Sequence, residues 1–286
     1  FMVINGALMT GVAVMVRQVA EDLHPFQIAF FRNFFGVIIL LPLLLRYGLE
    51  PLKTNDMRFM ATRGIFNAAA MLSYFMALTM LPLAEISALS FTAPLFVALL
   101  ATIFLKERMG PRRIIGLIGG FSGVLIILRP GVDIIQIGAL YAIFSAISWG
   151  TAVVLIKHLS RTNSSLTITL YGLSFLTIFT FPPALFVWQW PTGEQFMWLL
   201  AIAVAGNIGQ LLLTQSLKIA DASLVMPFDF TKLIWASIFG FLIFWEIPTI
   251  WALVGGAIIF SSSTYITYRE AQLAKCLKLS KPVDAV

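Results

Sequence analysis

The sequence predicts an all-α integral membrane protein with ten transmembrane helices, arranged as two inverted five-helix repeats. Three observations predict it: apolar windows long enough to span a bilayer, an internal similarity at a fixed offset, and basic residues gathered on one side of the membrane.

The chain is 59% hydrophobic and 11% charged, whereas a soluble domain is about 45–50% apolar and about 25% charged. Its mean hydropathy is +0.93. Windows near the ~20 residues that a ~30 Å hydrocarbon core requires lie at 2–20, 26–46, 62–80, 83–105, 111–128, 135–157, 165–188, 196–217, 222–244 and 249–268. The first lacks a basic leader and a cleavage site, and is expected to be a mature helix. The second contains Arg32, the third Asn67 and Tyr74, and the fourth Ser90, Thr92 and Pro94. The fifth carries Gly116-Leu-Ile-Gly-Gly120, small residues that allow close helix packing. The sixth holds Trp149, the seventh Tyr171, the eighth Asn207 and Gln210, and the ninth Asp229, Lys232 and Trp235. Loops of at most about 15 residues leave no room for an extramembrane catalytic or nucleotide-binding domain.

If the windows alternate in direction, fifteen lysines and arginines fall in the even-numbered loops and the C-terminal tail, against Arg17 and Arg129 on the other face. The positive-inside rule then places both termini and the even-numbered loops in the cytoplasm. Basic residues dispersed over short loops form no nucleic-acid stripe. The lone Cys276 rules out an intrachain disulfide framework. The polar tail from about Lys275 to Val286 is expected to be disordered.

A shift of 139 residues brings Ala7, Gly11, Ala13 and Val14 onto Ala146, Gly150, Ala152 and Val153. The same shift brings Phe91-Thr92 onto Phe230-Thr231, Glu107 onto Glu246 and Gly116 onto Gly255, with a one-residue gap near Pro42 and Pro182. The expected units are residues 1–133 and 134–270, with 271–286 as a cytoplasmic tail. Because five is odd, the second unit must cross in the opposite sense, and such inverted repeats hold substrate near the midplane between halves that rock.

Five plus five helices, Arg32 in the second, Pro94 followed by Glu107 and Gly116, and Glu246 and Gly255 in the second repeat together resemble the drug/metabolite transporter superfamily of the EamA type. Within it the chain is similar to bacterial inner-membrane exporters of aromatic amino acids, which implies a bacterial inner-membrane location and efflux of phenylalanine, tyrosine, tryptophan and related compounds. One departure is Leu233, which stands where the second repeat would echo Pro94; Pro227 lies earlier, so the bend is expected to be displaced.

An ionisable group at the bilayer centre costs about 2.5–3.5 kcal/mol even on insertion scales, so it should face a partner or a wet cavity. Lys232 sits near the midplane, either as a ligand for a substrate carboxylate or as half of a structural pair with Asp229 one turn away. Arg32, close to the outer end of its window, is expected to snorkel or to pair with Glu85. Asn67, Tyr74, Trp149, Tyr171, Asn207, Gln210 and Trp235 each fit ordinary packing, but together offer flat apolar faces with polar tips. Ser90 and Thr92 either complete the cavity or bond back to their own helix.

The leading expectation is a secondary exporter of amino acids, with no cofactor and no bound metal, driven by the substrate gradient or by protons carried on Asp229 or Glu85. No GxxxxGK[ST] loop is present to bind ATP. A membrane enzyme lacks support, since His24 and His158 lie at membrane edges and no HExxH motif occurs. A channel would want continuous polar rings. A phosphorylated-sugar or nucleotide-sugar exchanger would want several cations around the phosphate.

Overall fold

The computed structural model describes residues 1–47, 54, 56–105, 110–129, 136–160, 162–219 and 226–279. Its helices are α1 (Met2–Val19), α2 (Pro25–Tyr47), α3 (Met57–Met80), α4 (Leu83–Ser90), α5 (Ala93–Leu105) and α6 (Pro111–Leu128) in the first half. The second half holds α7 (Ile137–Leu159), α8 (Ser165–Phe186), α9 (Gly193–Ile219), a 3₁₀ turn (Met226–Phe230), α10 (Thr231–Phe244) and α11 (Ile250–Leu279). The fourth window is α4 plus α5 and the ninth is the 3₁₀ turn plus α10, so these elements make ten membrane segments.

Among the described residues, five stretches are long and apolar enough to cross a bilayer on their own: Met2–Val19, Leu83–Phe104, Ile137–Leu159, Thr167–Phe186 and Ile250–Arg269. Polar residues on spanning helices are tolerated where they face the bundle interior.

Both broken segments are interrupted at the same register. In the first repeat, Pro94 lacks an N–H and excludes helical geometry before it, so the amides of Leu95 and Phe96 converge on the Thr92 carbonyl. In the second, the 3₁₀ turn gives way to α10 between Phe230 and Thr231, the counterparts of Phe91 and Thr92. The break is therefore not displaced, although Leu233 replaces the proline.

The ends of the helices establish the inversion. At one end of the bundle, which we call the Arg17 end, the last turn of α1 meets the start of α4 and the end of α10: Arg17 reaches the Leu81 carbonyl at 3.4 Å and Glu246 at 2.5 Å. There α7 begins, with Gly138 against Met80 and Leu81. It finishes at the opposite end, where His158 packs on Phe59 at the start of α3. Thus α1 and its repeat counterpart α7 run in opposite senses. Helix packing follows the same exchange: α1 on α9 mirrors α7 on α3, α2 on α9 mirrors α8 on α3, and α2 on α8, the fourth segment on the ninth and α6 on α11 map onto themselves.

At the α6–α11 contact, backbone meets backbone. A methyl built on Gly123 would lie 2.8 Å from the Gly255 carbonyl oxygen, and one on Gly255 2.7 Å from that of Gly123, so only glycine lets these backbones meet. The last helix runs on to Leu279, past the expected onset of disorder near Lys275, because Ala, Leu, Lys and Gln favour helix and no proline intervenes before Pro282. Glu107, which the repeat pairs with Glu246, lies outside the described residues.

Candidate substrate site

At the start of α10, Lys232 Nζ pairs with Asp229 across 2.5 Å. Asp229 belongs to the 3₁₀ turn and Lys232 to the first turn of the helix, so the interruption sets the pair at the mouth of a helix N-terminus. Both side chains keep surface open, at 30% and 25% relative exposure, although Lys232 stands twelve residues from the Arg17 end of its helix, about 18 Å at 1.5 Å per residue. An ionisable pair at this depth calls for a partner or a polar cavity. Beside it, Trp235 lies one turn on and stacks on Phe239 at 5.7 Å. Gly6 of α1 fits against Thr231 and Trp235, where a methyl would come within 2.7 Å of the Thr231 hydroxyl.

Helical rise places other residues at this level. Asn67 and Trp149 each stand twelve or thirteen residues from the Arg17 end of α3 and α7, about 18–20 Å. Trp149 is 45% exposed, yet it projects from the face opposite the lipid-facing stripe of Ile137, Leu140, Phe144 and Ile147. Its exposure is therefore to the interior. Asn207 of α9 contacts Gly36 of α2, and its Nδ2 has no acceptor among the described residues.

Nearer the Arg17 end lies a second level. Tyr74, on the same stripe of α3 as Asn67, is within hydrogen-bonding reach of Ser90 and in the field of Arg32. Arg32 was expected to snorkel or to meet Glu85; instead its guanidinium turns inward. Its Nη1 lies 3.5 Å from Met71 Sδ, and the head group fills the notch left by Gly206. Glu85 bonds Thr249 at 3.3 Å. Sequence reasoning also passed over Asn5, buried at 1% with no donor for its Oδ1 among the described residues. Arg32 could have been found, since any ionisable residue within a span is a candidate; Asn5 carried no comparable signal.

Other sequence-chosen residues stand apart. Tyr171 stacks on Phe175 at 5.9 Å in a separate cluster with Met60, Leu159 and Ile168 toward the opposite end. Thr92 is fully buried and donates to the Leu89 carbonyl at 2.6 Å, and Ser90 donates to that of Ile86 at 2.8 Å, the back-bonding alternative. The Gln210 side chain lies outside the described residues. Among the described residues no group of three or more His, Cys, Asp or Glu is placed to hold a metal.

The Asp229–Lys232 pair, Trp235 and the Gly6 contact thus gather where the second broken segment re-forms its helix. A model described as the EamA-like transporter family matches the chain twice, over residues 1–129 and 136–268. The chain belongs to the EamA-like transporter family. This EamA-like transporter is 30% identical over 257 residues to an S-adenosylmethionine uptake transporter of Rickettsia bellii, covering 90% of this chain and 88% of that protein. It is 32% identical over 254 residues to a riboflavin transporter of Brucella anthropi, covering 85% and 88%. A pseudopaline exporter of Pseudomonas aeruginosa is 28% identical over 248 residues, covering 86% and 87%. A solved crystal structure shares the fold across 97% of both chains, with a TM-score of 0.61 and 16% identity. The EamA-like transporter is thus a multi-pass membrane protein that carries a small molecule.

Proposed function

We propose that the protein is a secondary transporter of the inner membrane that moves small molecules joining an amino-acid head to a flat ring, by alternating access. The observation that carries this reading is the Asp229–Lys232 pair, 2.5 Å apart and partly exposed, one turn from Trp235. An amino acid brings a carboxylate and an ammonium, and each needs a counter-charge when water is scarce. Empty, the pair neutralises itself; loaded, Lys232 takes the carboxylate and Asp229 the ammonium, so charge stays matched through the cycle. Trp149, Trp235 and Tyr74 supply ring faces, with Asn67 and Asn207 as polar tips.

Phenylalanine, tyrosine and tryptophan are the simplest cargoes of this kind. S-adenosylmethionine, named for the Rickettsia relative, shares the amino-acid head and adds an adenine ring. The repeats are taken as residues 1–133 and 134–270, with 271–286 as a cytoplasmic tail; the double family match supports the division. Both termini are assigned to the cytoplasm because the Arg17 end is poor in basic residues, while Arg58, Arg63, Lys157 and Arg269 lie toward the other. Net direction follows the gradient, with protons as the candidate coupling ion. Counterflow of radiolabelled tryptophan and S-adenosylmethionine in proteoliposomes tests the reading: accelerated exchange supports it, and exchange of neither overturns it.

A further inference from the structure

Arg32 is the charge that the proposed function leaves unused. It lies eight residues into α2, about 11 Å from the Arg17 end by helical rise, and its guanidinium is enclosed by α3 and α9. Its one hydrogen-bond contact among the described residues is the Met71 sulfur at 3.5 Å, a weak acceptor that leaves a cation uncompensated. None of the described carboxylates reaches it: Glu85 bonds Thr249, Glu246 bonds Arg17, and Asp229 bonds Lys232. The Gly206 notch lets the planar head lie flat against α9, where a methyl would be 3.2 Å from its Nε and Nη2. One residue further on, the Asn207 amide Nδ2 is buried with no acceptor. Two donors, the Arg32 guanidinium and the Asn207 amide, therefore lack an acceptor of matching strength among the described residues.

We propose that Arg32 and Asn207 form an anion subsite for a second acidic group on the cargo, with the Arg32 backbone nearer the Arg17 end than the Asp229–Lys232 pair and Asn207 level with the pair. This rests on the proposed function and narrows it. The levels of Arg32 and Lys232 differ by roughly 7 Å in helical rise, about the span between the α-carbon and a para substituent on a phenyl ring. With a zwitterionic head at Asp229–Lys232 and one further carboxylate at Arg32, every charge in this part of the interior is matched. The preferred cargo is a ring-bearing amino acid that carries an additional acid group, and a planar fork suits a carboxylate there better than a point charge would.

The test measures binding to the purified full chain by thermal shift and by tryptophan fluorescence, comparing phenylalanine with 4-carboxyphenylalanine. Wild type is expected to bind the 4-carboxy compound at least about tenfold more tightly, a gap of about 1.4 kcal/mol. Arg32→Gln should remove that preference while holding phenylalanine affinity within about twofold, and Arg32→Lys should keep part of it. Equal affinities in wild type, or a preference that survives in Arg32→Gln, overturn the subsite and leave the proposed function standing. Failure of wild type to bind either compound overturns both. The wild-type comparison needs no variant, so the subsite remains refutable if Arg32→Gln does not fold.

Discussion

Phe91 and Phe230 stack on each other, with ring centroids 5.9 Å apart and planes inclined by 29°. They are equivalent positions of the two repeats, each at the break of its segment, so the pseudo-twofold axis passes between them. Ordered backbone that departs from the α-helix inside a membrane is tolerated only where protein or a cavity satisfies it, which makes this axis the place to look for substrate. The predictions that follow concern the residues around it.

Lys232→Ala leaves Asp229 without its partner. An unpaired intramembrane charge costs about 2.5–3.5 kcal/mol, so transport of zwitterionic amino acids should fall by roughly a hundredfold in protein that still reaches the membrane. Lys232→Arg should recover only part. Asp229→Asn should impair cargo with a free amino group and spare analogues without one. Normal flux in Lys232→Ala, with only lower thermal stability in Asp229→Ala, would make the pair structural.

Ring faces should be read by ring size. Replacing Trp149, Trp235 or Tyr74 by alanine is expected to lower transport of tryptophan more than that of alanine or valine, because stacking and apolar contact grow with area. Competition assays with both cargo types measure this, and equal losses would return these side chains to a packing role.

Glycine contacts give a stability test independent of transport. Gly123→Ala must push on the Gly255 carbonyl 2.8 Å away and should cost about 1–3 kcal/mol, read as a lower melting temperature in detergent. Gly11 has nothing within 4 Å of a built methyl, so Gly11→Ala should be neutral or stabilise by up to about 1 kcal/mol.

Much of this architecture was legible in the sequence, and the reasons differ by residue. Pro94 marked the first break, because a missing N–H leaves a local signature, whereas the second was expected to shift with Pro227 and instead falls between Phe230 and Thr231, the counterparts of Phe91 and Thr92. Asp229 and Lys232 were legible because charge within an apolar run demands a partner. Arg32 was misjudged because depth along a helix does not reveal which face a side chain takes; Met71 and Gly206 decide that, and they are distant in sequence. Tyr171 was misplaced for the same reason, since Phe175 and Met60 draw it into a separate cluster.

At the Arg17 end one carboxylate joins three elements. Glu246 binds Arg17 at 2.5 Å and accepts from the Leu83 amide at 3.0 Å, tying α1, α4 and α10 together. A left-handed turn at Trp245, with φ 57°, brings it there. Glu246→Gln weakens the tie, so a cysteine introduced at Asn67, in a background with Cys276→Ser, should label faster from the Arg17 side. An unchanged labelling rate would remove this contact from the gate.

At the opposite end, Asp56 accepts hydrogen bonds from Thr162 at 2.6 Å and Asn163 at 2.7 Å. These bonds hold its carboxyl below the ordinary aspartate range. A depressed folded pKa contributes stability that is fully present above the unfolded value and lost as pH falls through the folded one. Asp56→Asn should therefore lower the melting temperature at neutral pH, with the difference from wild type closing in acid. A difference that persists below the folded pKa would locate the effect elsewhere.

Counterflow in proteoliposomes of wild type and Lys232→Ala, preloaded with unlabelled tryptophan and supplied with radiolabelled tryptophan outside, tests the central claim most directly. The account predicts a transient overshoot of label in wild type, suppressed by phenylalanine and by S-adenosylmethionine and absent in Lys232→Ala. An overshoot of equal size in both proteins, or none in wild type with any amino-acid cargo, would contradict it.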